Sequence, residues 1–166
     1  MKAHFEMMAA YNAWANGRVA AMVHGLSDTA QRADLGAFFR SIHGTLNHLV
    51  VADRIWLARF HGTPAPDVPL NGILYKDSVD LATARRALDA EIVDYVRELD
   101  DAALAGTISY TPVTIPEPVT QPLSSALAHF FNHQTHHRGQ IHAMMTRQAG
   151  EAAPLDLLFF QRERAQ

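Results

Sequence analysis

Between Pro122 and Gly150 one set of side chains recurs at spacings of three and four: Leu123, Ala126, Phe130, His133, His137, Ile141 and Met144. That period belongs to an α-helix with one face turned to a core. A helix is therefore predicted from about Leu123 to Gln148, with Pro122 suited to its start and Gly150 to its end. Two middle positions of the apolar seam are imidazoles, where leucine would be the ordinary choice.

Three more segments carry the same period. Phe5, Met8, Asn12, Ala15, Val19 and Met22 mark a helix over residues 3–24, stopped near Gly25. Phe39, Ile42, Leu46, Leu49, Val50, Trp56, Leu57 and Phe60 mark a second over about 37–60, closed by Gly62. Leu81, Leu88, Ile92, Tyr95 and Leu99 mark a third, capped by Asp77 or Ser78. The polar connector SDTAQRAD precedes the second helix, and the proline-rich TPAPDVPLNG reads as a loop before the third. In GTISYTPVTIPEPVTQP the period changes, and a short hairpin or extended loop is expected before the last long helix. A short terminal helix fits PLDLLFFQRERAQ. Four long helices imply an all-α four-helix bundle, and 166 residues suit one domain, 1–166.

A formal charge of −3 gives no basic footprint, so nucleic acid is not expected as a partner. No apolar run reaches the ~18 residues of a membrane span. Glu6, Asn12, Asn16 and Arg18 stand where a signal peptide would be apolar, so a cytoplasmic chain is expected. Cysteine is absent, which removes disulfides, thiolate metal sites and a cysteine nucleophile together. Any thiol chemistry would need a thiol carried in on a substrate.

His133 and His137 stand about 6 Å apart along the helix axis and share a face, so they can converge on one small cation. Left as core histidines, each unpartnered buried ring nitrogen would cost about 1–3 kcal/mol. A third ligand is expected from another helix, and His48, in mid-helix among small neighbours, is the leading candidate. His43 lies nearer its helix start. His4, His24 and His61 sit at element ends and read as solvated, while His129 and His142 lie off the His133/His137 face. Neutral nitrogen ligands without thiolate suit zinc, nickel, copper or ferrous iron.

Position 134 is Gln, so the HExxH base is missing, and paired Glu-x-x-His motifs are absent too. Asp53 reads as an ion-pair or capping partner rather than a ligand. Arg138 and Gln140 either orient ligands or substrate, or occupy a solvated face. Gly139 is expected to admit a close neighbour, and Trp14 and Trp56 to pack. No catalytic base stands out.

The blocks YNAWANGRV, GTLNHLVVADRIWLARF, HFFNHQTHHRGQIHAMM and GEAAPLDLLFF, in this order and across nearly the whole chain, resemble the DinB/YfiT-like family. The resemblance implies a bundle of up-down-down-up topology and one divalent metal ion held by His48, His133 and His137. It also implies a homodimer, and for some relatives thiol-dependent enzymes, including transferases that use a low-molecular-weight thiol. The expected function is a metal-dependent thiol S-transferase, acting on a small-molecule substrate with zinc or nickel. The alternatives are a metal-dependent hydrolase and a non-catalytic, metal-binding stress or damage-response protein.

Overall fold

A computed structural model describes residues 1–113 and 115–165. In chain order the elements are α1 (Lys2–His24), α2 (Asp28–Arg32), α3 (Ile42–Phe60), α4 (Ser78–Glu98), α5 (Asp101–Ala105), β1 (Thr107–Tyr110), β2 (Val119–Pro122), α6 (Leu123–Ala149) and α7 (Leu157–Arg164). The four long helices start and stop where local chemistry dictates. The Ser41 hydroxyl accepts from the Gly44 amide at the start of α3, and the Asp77 carboxylate accepts from the Val79 and Asp80 amides at the start of α4. Gly150, at φ 81°, adopts the left-handed conformation that ends α6.

Cross-helix contacts fix the directions. Lys2 meets the Arg97 carbonyl while Asn16 meets Asp89, so α1 and α4 run antiparallel. Trp56 lies against His129 and His48 against His133, so α3 and α6 are antiparallel as well. Asp53 pairs with Arg85 and Phe60 stacks on Tyr95, which makes α3 parallel to α4. Phe5 stacks on Phe131 and Arg138 reaches Asn16, which makes α1 parallel to α6. The bundle is thus up-down-down-up. Parallel α3 and α4 require residues 61–77 to travel back along the bundle, and this return strand touches the candidate site.

The core has three levels. Phe5, Trp56, Leu57, Ile92, Phe130 and Phe131 belong to one apolar cluster, and Val19, Val23, Ile42, Leu49, Ile141 and Met145 to another. A polar layer of Asn12, Asn16, Asp53, Arg85, Asp89 and Arg138, all buried, joins the four long helices through hydrogen bonds and ion pairs. Helix α7 docks on α1, with Phe160 against Tyr11 and Trp14, while the Tyr11 hydroxyl donates to the Leu155 carbonyl. β1 and β2 form the expected hairpin, paired antiparallel from Thr107↔Pro122 to Tyr110↔Val119.

Three details differ from the sequence reading. Helix α3 starts at Ile42 rather than near 37. Asp34 bonds the Gly36 amide and the Arg40 guanidinium, and Arg40 takes a positive φ of 66°, so residues 34–40 close a turn instead of a helical start. The polar connector contains α2, capped by Ser27, and α5 follows Asp100, which caps it. Gly139 has no neighbour within 4 Å of the place a Cβ would occupy, so it admits no close contact.

Candidate metal centre

The periodicity of α6 sets His133 and His137 one turn apart, and antiparallel α3 brings His48 against them. The three Nε2 atoms meet: His133 lies 3.1 Å from His137 and 3.4 Å from His48. All three rings offer a ligand atom within 4.8 Å of the others, with His48 and His137 buried and His133 half-buried. Two ligands at ~2.0–2.1 Å from one tetrahedral ion stand about 3.3–3.4 Å apart, so the observed spacing fits a single small cation.

The outer nitrogens fix which lone pairs face inward. His48 Nδ1 donates to the Leu70 carbonyl at 2.7 Å, on the return strand. His137 Nδ1 donates to Gln140 Oε1 at 2.8 Å, and Gln140 Nε2 lies 3.2 Å from His136. Both neutral rings therefore carry unprotonated Nε2 atoms aimed at His133. A single proton on His133 Nε2 can serve one of them, which leaves two lone pairs opposed. A cation satisfies all three at once, and the carbonyl and amide partners are the kind that orient metal-binding imidazoles.

Phe39 closes one side. Its ring stacks on His48 with centroids 3.8 Å apart, and meets His137 edge-on at 5.5 Å. The turn that carries Phe39 approaches α3 so closely that a Cβ on Gly44 would fall 2.3 Å from the Phe39 carbonyl oxygen. Only glycine at position 44 permits this approach. The opposite side, at His133 and the exposed His136, faces solvent.

Burial holds the rings neutral. It pushes His48 down to about 4, opposed by the Leu70 carbonyl, and pushes His133 down to about 3, with the neighbouring histidines adding to the shift. His137 is lowered for the same reason, against the pull of Gln140. Unfolded imidazoles protonate near 6.5. Between that pH and about 4 these rings bind more protons in the unfolded chain than in the fold, so their contribution to stability is lost as pH falls through this window, while the buried Asp53 carboxyl, pushed up to about 6, acts with the opposite sign. Thermal unfolding in chelator at steps from pH 7 to pH 4 should therefore show a midpoint that falls more steeply in the parent chain than in a His48→Ala/His133→Ala variant, and equal slopes would contradict the depressed values. Proton competition at the rings accordingly sets in well below the 6.5 that ordinary histidines would give.

Other expected residues fall into place. His43 is buried against Asn47 and takes no part in the cluster. His4, His24 and His61 are exposed, and His129 packs on Trp56 one turn away. Asp53 pairs with Arg85. Arg138 is buried and bonded to Asn12 and Asn16, so it does not lie on a solvated face. Gln140 takes the orienting role. The Leu70 carbonyl and Phe39 escaped sequence reasoning: a backbone acceptor leaves no side-chain signature, and Phe39 matched the helical period that the Asp34 turn interrupts.

Known proteins resemble the chain across most of its length. Protein DinB of Bacillus subtilis strain 168 is 28% identical over 162 residues, covering 88% of this chain and 87% of that protein. A solved DinB-like protein from Bacillus cereus ATCC 10987 superposes with a TM-score of 0.59 at 22% identity, covering 84% of this chain and 89% of its own. YfiT from Bacillus subtilis superposes with a TM-score of 0.68 at 15% identity, covering 92% and 91%. YfiT is described as a probable metal-dependent hydrolase with an unusual four-helix bundle topology. No described helix of this chain is long and apolar enough to cross a membrane. The family model for DinB matches residues 1–165, and the chain belongs to the DinB family.

Proposed function

We propose that His48, His133 and His137 hold one divalent cation, zinc or nickel before iron or copper, in a metal-dependent enzyme that uses an exogenous low-molecular-weight thiol. The observation that carries this reading is the convergence of three neutral-ring Nε2 atoms that a single proton on His133 cannot reconcile. Three ligands leave coordination positions open, as catalytic sites require. A divalent ion held there lowers the pKa of a coordinated thiol and supplies a thiolate at neutral pH.

The protein's own groups do the rest. Leu70 and Gln140 lock two rings in one tautomer, Phe39 keeps water from the inner side, and the half-exposed His133 edge admits a small molecule. No carboxylate hydrogen-bonds any of the three rings among the described residues. A water nucleophile profits from such a base, whereas a thiol needs only to lose its proton, which favours S-transfer over hydrolysis. The absence of cysteine means that the thiol comes from outside.

Metal-loaded protein given a panel of low-molecular-weight thiols and a generic electrophile should form conjugate at a rate that disappears in chelator. Ester hydrolysis without thiol would assign the site to a hydrolase, the activity attributed to YfiT. No turnover with any thiol would remove the transferase reading. Gln140→Ala should weaken metal binding by about 10–100-fold, since it frees the outer nitrogen of His137. Competition with a chromophoric chelator measures this, and an unchanged affinity would show that Gln140 does not orient the ring.

A further inference from the structure

Aromatic rings continue outward from the metal centre between α3 and α6. The His129 ring lies 5.9 Å from the His133 ring between centroids, and the Trp56 ring lies 5.1 Å beyond it. Tyr110, on β1, meets Trp56 edge-on at 5.3 Å, and its hydroxyl accepts from Gln121 Nε2 at 3.0 Å, which fixes the ring on the hairpin. The row ends in a cation. The Arg59 guanidinium carbon stands 4.7 Å from the centre of the Trp56 ring and 4.3 Å from that of Tyr110.

Helical spacing puts this cation on the metal-facing side. Arg59 follows His48 by eleven residues, within about 20° of three full turns, so both project from one face of α3. The rise between them is about 16 Å. Helical side chains lean toward the helix start, which brings the guanidinium to roughly 10–15 Å from the three histidines. No anion of the protein answers its charge: Arg59 pairs with no carboxylate among the described residues. Its half-buried side chain reaches the surface, unlike the sealed Nε atoms of Arg85 and Arg138. Partial burial lowers its pKa, with Tyr110 opposing. Contact with two rings holds the guanidinium without using its N–H donors, and that free fork suits a carboxylate, which it takes through two parallel hydrogen bonds.

Resting on the thiol reading of the metal centre, the geometry points to Arg59 as the residue that selects the thiol. The small thiol whose sulfur reaches the histidine site carries a carboxylate at its other end. That carboxylate pairs with Arg59, and the chain between the two ends crosses His129 and Trp56. Taking about 2.3 Å for a metal–sulfur bond and about 2.8 Å for a charged hydrogen bond from the 10–15 Å span leaves roughly 5–10 Å between sulfur and carboxylate. A thiol with a neutral far end fills the ion's open position and leaves the guanidinium unanswered.

The full chain loaded with cobalt(II) gains a sulfur-to-metal charge-transfer band when a thiol binds the ion. Titration at pH 7 with 8-mercaptooctanoate and 8-mercaptooctanol then compares an anionic far end with a neutral one. The acid should bind about tenfold more tightly than the alcohol. Arg59→Gln should erase that difference while the affinity for the alcohol and the metal stoichiometry stay unchanged. Arg59→Met, which keeps an apolar stem on both rings, takes its place if Arg59→Gln fails to fold. Equal binding of acid and alcohol by the parent chain would overturn the proposal and leave the thiol reading standing. So would an acid preference that persists without the guanidinium, since it would then come from the ion's own charge. No band with either thiol would remove the thiol reading and the role of Arg59 with it.

Discussion

His137→Ala abolishes stoichiometric divalent-metal binding, while His136→Ala, one residue earlier, leaves it intact. The two imidazoles are neighbours in sequence and 4.8 Å apart between ring centroids, yet they differ in face. His137 is buried and points its Nε2 at His133, whereas His136 is exposed and turns its Nε2 to Gln140. Loss of an outer partner typically costs a metal site 10–100-fold in affinity, so loss of a ligand from a set of three should cost about 100-fold or more. Elemental analysis after dialysis, with a competitive titration, measures both variants. His48→Ala should match His137→Ala despite lying on another helix, because its Nε2 faces the same point. The apolar clusters on either side do not include His137, so circular dichroism of His137→Ala should stay helical. Equal metal loss in His136→Ala and His137→Ala would defeat the assignment.

That contrast was legible in the sequence because the 3.6-residue period alone separates position 136 from position 137. The same period placed four long helices and their faces, and the proline and glycine punctuation placed the hairpin and the end of α6. The parts that were not legible share one cause: they depend on what the return strand and the Asp34 turn do in three dimensions. The Leu70 carbonyl fixes the tautomer of His48 from 22 residues away, and no pattern announces a backbone acceptor. Phe39 satisfied the helical period, but Asp34 and Arg40 compete locally for that backbone, so the ring stacks over His48 instead of joining the stripe of α3. Arg138 sits beside the candidate ligand His137 in sequence yet points into the core, because α1 offers two asparagine acceptors there. Gly44 carries no sequence signal of its own, and only the approach of the Phe39 carbonyl explains it.

The largest loss of stability should come from the polar layer rather than from the histidines. Asp53 is fully buried and sits 2.5 Å from Arg85, which also reaches Asp89 at 2.9 Å. Burial pushes the Asp53 carboxyl up to about 6, with Arg85 opposing, so near pH 7.5 the pair is ionised. Asp53→Ala removes a buried anion and leaves two buried guanidiniums, Arg85 and Arg138, with Asp89 alone, a change that costs about 3–5 kcal/mol in comparable sites. For a chain of this size that corresponds to a fall of roughly 6–20 °C in the unfolding midpoint. The comparison is Asp94→Ala. Asp94 is 2.6 Å from Arg97, almost the same distance, but both side chains are more than 60% exposed, and such pairs contribute at most about 1 kcal/mol. Distance is held nearly constant and burial differs, so the two variants separate the cost of a stranded charge from the value of a short contact. Asp53→Leu combined with Arg85→Met should recover part of the loss, because the pair is removed together and Asp89 stays to balance the buried Arg138. Calorimetry that finds Asp53→Ala no more damaging than Asp94→Ala would mean that water reaches Arg85, and the layer would then not be the dry junction that joins the four long helices.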